Sequence, residues 1–141
     1  MLESIELPPI PTSVAAARRW SGEVLERLGA PQLADTMALL VSELVSNVVL
    51  HARTACWLRI DQQDRSIRVE VDDGDDVLPG EIVVPDPLAS SGRGLVLVDA
   101  LSAAHGVEAL ARGGKRVWFE LAVDGSDALA PPKASVNGTS A

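Results

Sequence analysis

Three segments of the sequence place an apolar residue at every second position, and this pattern limits the fold more than any other feature. They cover residues 56–60, 67–71 and 117–121. Successive side chains of a β-strand point to opposite faces, so each segment has one apolar face and one polar face. A polar face in contact with water favours an antiparallel or mixed sheet, because parallel strands enclosed between helices are apolar on both faces.

Two helices are predicted before the first of these strands. The first covers residues 14–28, where Thr12 or Ser13 suits the N-cap and Gly29 suits the end. The second covers residues 31–51 and begins at a proline, which is well tolerated in the first turn of a helix.

The remaining segments complete the order of elements. A short strand is expected around residues 5–7, a long proline-containing loop over residues 75–91, and a third helix over residues 95–103. Residues 124–141 are rich in Gly, Ser, Pro and Ala and are predicted to be a disordered tail. The sequence therefore predicts one α+β domain over residues 1–123, a two-layer sandwich of helices and a sheet.

Composition and charge exclude several classes of function. The 141 residues include 12 basic and 20 acidic ones, and the resulting net charge of −8 argues against direct binding of nucleic acid. The single cysteine, Cys56, excludes an intrachain disulfide. We find no secretory leader pattern and no apolar run of about 18 residues, so we expect a cytoplasmic protein that does not enter a membrane.

The second predicted helix carries a narrow polar seam. Glu43 and Asn47 are four residues apart and share one face with Thr36, between a buried leucine row and a second apolar flank of Leu39 and Leu50. A carboxylate between two apolar rows is costly unless it is paired, hydrated or used. An ordinary pair on the helix surface gives the same pattern, so both interpretations stay open here.

An acidic residue ends the apolar face of the second alternating segment. Counting inward positions from residue 67, Asp73 continues the series, and an acid at an inward position is anomalous. The same residue also suits a cap for the turn at Gly74. The surrounding acidic run lacks the spacing of a calcium loop, and two scattered histidines do not suit a zinc site.

A glycine turn precedes the third predicted helix. Gly92 and Gly94 flank Arg93 immediately before an apolar stretch that begins at Leu95. Such a turn lets backbone N–H groups converge on an anion at a helix N-terminus. It matches neither a P-loop nor a dinucleotide fingerprint.

Together and in this order, these pieces resemble the histidine-kinase-like ATPase superfamily. Within it, the likeness is to the small anti-sigma-factor serine/threonine kinases of Gram-positive bacteria. SELVSNVVLHA resembles the asparagine box, VEVDDGDD the first glycine box, SSGRGLVLVDAL the second glycine box and GGKRVWFEL the closing strand. The resemblance covers residues 7–123 and implies a Bergerat-type ATP-binding fold, a mostly antiparallel mixed sheet with helices on one face.

The resemblance also implies roles for individual residues. Asn47 is expected to hold Mg²⁺ on the nucleotide phosphates, and Glu43 to act as general base for an attacking hydroxyl. Asp73 is expected to accept a hydrogen bond from the adenine amino group, within a first glycine box that includes Gly74. The residues expected to wrap the phosphates are Gly92, Arg93, Gly94 and Leu95. Residues 75–91 correspond to the nucleotide lid.

The sequence departs from the family pattern at two places. Asp75 and Val77 stand in the first glycine box where further glycines are usual. In the simplest alignment, Arg116 stands where the closing strand usually has a threonine near the adenine. Both departures concern the affinity for nucleotide, and neither involves Glu43 or Asn47.

The implied function is that of an ATP- and Mg²⁺-dependent kinase that is also an anti-sigma factor. Its expected partners are a sigma factor and a small antagonist protein of the STAS type, with no direct nucleic acid and no membrane. A homodimer is one candidate for its oligomeric state. The alternative is a module that sequesters partners without phosphate transfer, gated by nucleotide or independent of it. Histidine-kinase catalytic domains, gyrases and chaperones work with further domains, so we expect none of the activities of these three classes.

Overall fold

The described residues form one antiparallel sheet of five strands. The strands are β1 (Leu2–Leu7), β2 (Cys56–Gln62), β3 (Ser66–Asp73), β4 (Ala104–Ala109) and β5 (Lys115–Ala122). Their order in the sheet is β1-β2-β3-β5-β4, and every pairing among them is antiparallel. The three alternating segments are β2, β3 and β5, so the predicted α+β fold with a mostly antiparallel sheet is confirmed.

This computed structural model describes residues 2–76, 98 and 101–123. The predicted second glycine box, with Gly92, Arg93, Gly94 and Leu95, lies outside the described residues. So do the predicted tail and nearly all of the predicted lid. Of the third predicted helix, residues 98 and 101–103 are described. Val98 and Leu101 are helical, whereas Ser102 and Ala103 are not, so the predicted end at residue 103 is wrong.

Two helices contribute the other layer. They are α1 (Thr12–Arg27) and α2 (Ala34–Asn47), and a 3-10 turn (Pro31–Leu33) leads into α2. Leu25 of α1, Leu40 of α2 and Phe119 of β5 belong to one hydrophobic cluster and are fully buried. Aliphatic side chains fill most of this core, as the four aromatic residues of the sequence require.

The ends of α1 differ in how well the sequence predicted them. Gly29 has φ +75° and follows the helix, which confirms it as the stop. The predicted N-cap is wrong, because Pro11 is the N-cap and Thr12 already belongs to the helix. Pro11 has helical dihedral angles of −57° and −35°, so the first turn extends further back. Ser13 instead donates a hydrogen bond of 2.6 Å to the carbonyl of Pro8.

The segment Pro31–Ala52 is a continuous helical stretch of 22 residues, and an 18-residue window of it has a mean hydropathy of 1.6, which is enough to cross a membrane by length and composition. The expectation that no apolar run of this length exists was therefore wrong. In the fold, however, its apolar face lies in the core, where Met37, Leu40 and Val41 are completely buried. A core helix of this kind passes the same test of length and composition.

Strand β4 was not predicted from the sequence. It lies at the edge of the sheet, and none of its residues is fully buried. Because an edge strand with little buried surface needs no apolar alternation, its sequence AHGVEA lacks the period that identified the other strands.

Gly106 of β4 makes room for a tryptophan on the outer face of the sheet. It lies directly opposite Trp118 of β5, and the guanidinium of Arg68 stacks 4.0 Å from the centroid of the same ring. A Cβ atom at Gly106 would lie 2.7 Å from Nε1 of Trp118. The indole, only 6% exposed, is therefore packed between a glycine and a cation.

We predict that Gly106→Ala lowers the free energy of unfolding by about 1–3 kcal/mol, because the added methyl group overlaps the indole ring. Urea denaturation followed by tryptophan fluorescence measures the change. Gly22→Ala is the matched control, since a Cβ atom there meets nothing within 4 Å. It lies inside α1 and should raise stability by about 0.5–1 kcal/mol. Equal effects of the two substitutions would contradict this packing.

Candidate functional site

The candidate site lies at the end of the sheet where β2 begins, β3 ends and β5 begins. Cys56 is opposite Asp73 in the strand register, and Asp73 is opposite Lys115. The chain reaches this end from α2 through a short turn and Thr54, whose Oγ1 accepts a hydrogen bond of 2.9 Å from the N–H of Gly74. That bond connects the segment following α2 to the residue following β3.

Glu43 and Asn47 carry buried oxygen atoms that have no hydrogen-bond partner within the described part of the chain. The two atoms are Oε1 of Glu43 and Oδ1 of Asn47. A buried acceptor without a partner costs about 1–3 kcal/mol, so folded proteins rarely keep one without a use for it. An ordinary surface pair would be hydrated or mutually bonded. The structure therefore favours the interpretation in which these two oxygen atoms serve to bind a ligand.

The second apolar flank of α2 does not belong to the core. Leu39 is 42% exposed and Leu50 is 51% exposed. The polar seam therefore separates buried leucines from exposed ones. Its two key members, Glu43 and Asn47, are half-buried between these rows.

A π-helical turn (Val48–Ala52) follows Asn47 directly. It ends at Arg53, which has φ +58° and donates its N–H to the carbonyl of Val48 over 2.7 Å. Single π-helical turns in this position occur frequently at functional sites. Because the helical twist changes here, Asn47 is the last residue of α2 whose orientation follows the regular period.

Asp73 is buried and faces inward, as the alternation of β3 predicted, and it is 4% exposed. Its Oδ1 accepts a hydrogen bond of 2.8 Å from the N–H of Asp75. The turn-capping interpretation is therefore also correct. Burial raises the pKa of this carboxyl above its ordinary value, although the neighbouring N–H and Lys115 act against that rise.

Lys115 is the partner of Asp73 that sequence reasoning missed. Its Nζ lies 3.1 Å from each carboxylate oxygen of Asp73 and 3.8 Å from Oδ2 of Asp75. Lys115 is 7% exposed. Val117, Phe119 and Leu121 face inward on β5, and the same parity extended backward places Lys115 inward as well.

Arg116 does not lie beside Asp73, the residue expected to contact the adenine. It points to the outer face and binds Asp72, with Nε 2.8 Å from Oδ1 and a terminal nitrogen 2.9 Å from Oδ2. The reason is the two-residue period of a strand, which puts Arg116 and Lys115 on opposite faces.

Asp72 is the centre of an arginine cluster on the outer face. Arg112 lies 3.1 Å and Arg59 3.4 Å from its Oδ2, in addition to Arg116. Burial would raise the pKa of Asp72, but the hydrogen bond and charge of Arg116, with help from Arg112 and Arg59, lower it below the ordinary value. Asp72, the first residue of the acidic run over residues 72–76, therefore has a structural role.

The turn between β4 and β5 (residues 110–114) packs directly on the end of β3. The N–H of Gly114 donates a hydrogen bond of 2.6 Å to Oδ1 of Asp76. Gly114 has φ +89°, and a Cβ atom there would lie 2.0 Å from the carbonyl oxygen of Asp73. Only glycine allows this approach. The turn between β4 and β5 thus contacts the acidic run of residues 72–76 at two points, Asp73 and Asp76.

No group of three or more His, Cys, Asp or Glu side chains suited to a metal ion occurs among the residues that the structure describes. Cys56 is buried, and burial, with the charge of Asp73, raises the pKa of its thiol to about 12. Its thiol therefore stays protonated at neutral pH and behaves as a small core side chain.

The comparison with protein families agrees with this architecture. A family model described as histidine kinase-like ATPase domain matches residues 7–121, from the last residue of β1 almost to the end of β5. The chain belongs to this family. No curated protein matches the chain. Membership of this ATPase domain family implies that the protein binds ATP, and it supports the resemblance to the histidine-kinase-like ATPase superfamily.

The residues present fit a nucleotide with its metal ion. Mg²⁺ prefers oxygen ligands, and the unpartnered Oδ1 of Asn47 supplies one in a buried position of this ATPase domain. Glu43 supplies an unpartnered carboxylate oxygen one turn earlier on α2.

We predict that Asp72→Asn lowers the free energy of unfolding by about 1–3 kcal/mol at pH 7, because the arginine cluster loses its central charge. The folded-state pKa of Asp72 lies below its unfolded value of about 4, so its contribution is present above about pH 4. It disappears as the pH falls through the folded-state pKa.

Urea denaturation at pH 7 and at successively lower pH checks this expectation. The difference between the wild type and Asp72→Asn should shrink on acidification. Asp64→Asn, at an exposed position between β2 and β3, is the control and should leave stability nearly unchanged. A difference that stays constant down to pH 3 would contradict the assignment.

Proposed function

We propose that this domain is an ATP-binding regulator that acts both as an anti-sigma factor and as a serine/threonine kinase. Its expected partners are a sigma factor and a STAS-type antagonist protein, which carries the hydroxyl that is phosphorylated. The observation that supports the proposal most is the pair of buried, unpartnered oxygens on Glu43 and Asn47. Both groups are acceptors, one for a metal ion and one for a proton.

In this mechanism Asn47 would hold Mg²⁺ through Oδ1, and the metal ion would supply positive charge to the phosphates. Glu43 accepts a proton. The hydroxyl oxygen of the antagonist forms a bond to the γ-phosphorus as the bond from that phosphorus to the β–γ bridging oxygen breaks. ADP leaves, and the proton of the hydroxyl passes to the Glu43 carboxylate. The turn of residues 92–95, outside the described residues, is proposed to bind the phosphates.

The base of the nucleotide is proposed to contact Asp73, whose buried carboxylate lies at the end of β3. Gly74 follows in the same turn and is fixed by Thr54. The acidic balance of the chain suits a basic surface on the partner, and it supports a regulator that binds protein instead of nucleic acid. We also propose a cytoplasmic location, where a sigma factor is found.

A module that sequesters partners without phosphate transfer is the second candidate. Two observations favour it: Lys115 already binds the carboxylate expected to contact adenine, and Asp75 and Val77 replace usual glycines. The melting temperature with and without saturating Mg²⁺ and ATP separates the nucleotide-independent form of this candidate from the kinase. A nucleotide that binds only the folded state must raise it. An unchanged value would favour the second candidate.

We predict that Glu43→Gln lowers the rate of phosphate transfer by about 10²- to 10⁴-fold and leaves ATP affinity within a factor of about three, because only the proton acceptor is lost. Labelled ATP and the cognate antagonist measure transfer, and a fluorescent ATP analogue measures binding. Asp35→Asn, an exposed acid in the first turn of α2, is the matched control. Undiminished transfer by Glu43→Gln would remove the role of Glu43 as general base, and absence of transfer by the wild type would remove the kinase assignment.

We predict opposite effects of Asn47→Leu on stability and on binding. Leucine has a similar shape and removes the unpartnered oxygen, so the free energy of unfolding without nucleotide should rise by about 1 kcal/mol. Mg²⁺-dependent ATP binding should be lost. Urea denaturation and titration with the fluorescent analogue measure the two effects.

Asn47→Asp keeps a buried oxygen, and it should not gain the stability expected of the leucine variant. A stability loss in Asn47→Leu together with retained Mg²⁺-dependent binding would show that Asn47 serves the fold and not the metal ion.

A further inference from the structure

The pair formed by Asp73 and Lys115 is built rigidly into the end of the sheet. The two residues are direct partners in the β3–β5 register, and Nζ lies 3.1 Å from both carboxylate oxygens. The side chains are only 3% and 9% exposed. Gly114, the residue next to Lys115, lies so close to Asp73 that a Cβ atom there would be 2.0 Å from the carbonyl oxygen of Asp73. This close packing places the ammonium group beside the carboxylate.

This pair retains unused hydrogen-bonding capacity. A carboxylate offers about four acceptor positions and an ammonium three donors. The carboxylate oxygen Oδ1 receives both the N–H of Asp75 and Lys115, whereas Oδ2 receives Lys115 alone within the described chain. Asp75 Oδ2, at 3.8 Å from Nζ, is beyond hydrogen-bond distance. An acceptor and a donor thus remain side by side.

Adenine and guanine differ in the hydrogen-bond donors and acceptors that they can offer to a carboxylate and an ammonium group. Adenine presents an amino donor beside a ring-nitrogen acceptor, and guanine presents a carbonyl acceptor, O6, beside an N–H donor. A carboxylate alone only accepts hydrogen bonds, so it pairs with the amino group of adenine and repels O6 of guanine. An adjacent ammonium supplies the donor that O6 requires.

We propose that Lys115 is a specificity-determining residue that makes this site accept GTP as well as ATP. Asp73 accepts from the amino group of adenine or from the ring N–H of guanine. Lys115 donates to the ring nitrogen of adenine or to O6 of guanine. This inference rests on the proposed function, because it takes the end of β3 as the place where the base binds.

Equilibrium binding of both nucleotides to the full chain tests the proposal. Titration calorimetry with Mg²⁺ and ATP, GTP or ITP measures the three dissociation constants without depending on catalysis. The wild type is expected to bind ATP and GTP within about tenfold of each other. ITP keeps O6 and the ring N–H but lacks the 2-amino group, so it should bind much as GTP does.

Lys115→Met removes the ammonium and keeps the length of the side chain. The affinity for GTP relative to ATP is expected to fall by about 10- to 100-fold, because O6 then faces an uncompensated carboxylate. Arg112→Met is the matched control. It removes a positive charge from the adjoining turn. Among the described residues Arg112 binds Asp72 on the outer face, so this substitution should leave the ratio unchanged.

Different results overturn the proposal and the function on which it rests. A wild type that binds ATP more than 100-fold tighter than GTP keeps the proposed function and overturns this inference, and so does an unchanged ratio in Lys115→Met. A gain of ATP affinity in Lys115→Met from a wild type that binds neither nucleotide would show that the lysine blocks the base. Absence of binding in both proteins would overturn the proposed function itself. The wild-type ratio decides the matter even where Lys115→Met does not fold.

Discussion

The contacts between the end of β3 and the start of β5 hold the candidate site together. Asp72 and Asp73 are successive residues on one strand, and Arg116 and Lys115 are their partners on the next. Because neighbouring positions face opposite sides, one ion pair closes the outer face and the other lies at the inner face. The outer pair, Asp72 and Arg116, is surrounded by two further arginines, whereas the inner pair, Asp73 and Lys115, is almost inaccessible to solvent. The same two strands therefore supply a structural ion pair on one face and, on the other face, the ion pair that we propose contacts the base.

The unpartnered oxygens on α2, unlike these ion pairs, lower the stability of the free protein and are available to a ligand. Other polar groups at this end of the sheet have partners: the buried Asp73 has Lys115, and the exposed Asp76 has the N–H of Gly114. Glu43 and Asn47 leave one acceptor each without a partner in the described chain. Such acceptors cost stability in the free protein, and this cost disappears when a ligand supplies the missing donor or cation. Their position is preorganised, because the buried row of α2 is packed into the core.

Periodicity predicted the parts of the fold that depend on burial, and it failed where burial does not decide. The inward position of Asp73 and the shared face of Glu43 and Asn47 followed from counting residues along a strand and a helix. Lys115 could have been found by the same count on β5, but the alignment by motif directed attention to Arg116. Strand β4 has no such period, since it lies at the edge of the sheet. The arginines around Asp72 could not be predicted, because Arg112 reaches it from a turn whose position depends on the packing of Gly114.

The residues proposed for phosphate chemistry and those proposed for the base lie on different elements, and this separation bears on the two candidate functions. Glu43 and Asn47 belong to a helix that packs in the core, whereas Asp73 and Lys115 belong to two paired strands. A change on the strands is expected to alter which base is accepted without displacing the proposed general base or metal ligand on the helix. Lys115 therefore bears on the binding of nucleotide and not on the groups proposed to transfer phosphate. Phosphate transfer is proposed to depend on the carboxylate of Glu43 and the amide of Asn47 on α2. Each of these groups has an acceptor oxygen without a partner in the described chain.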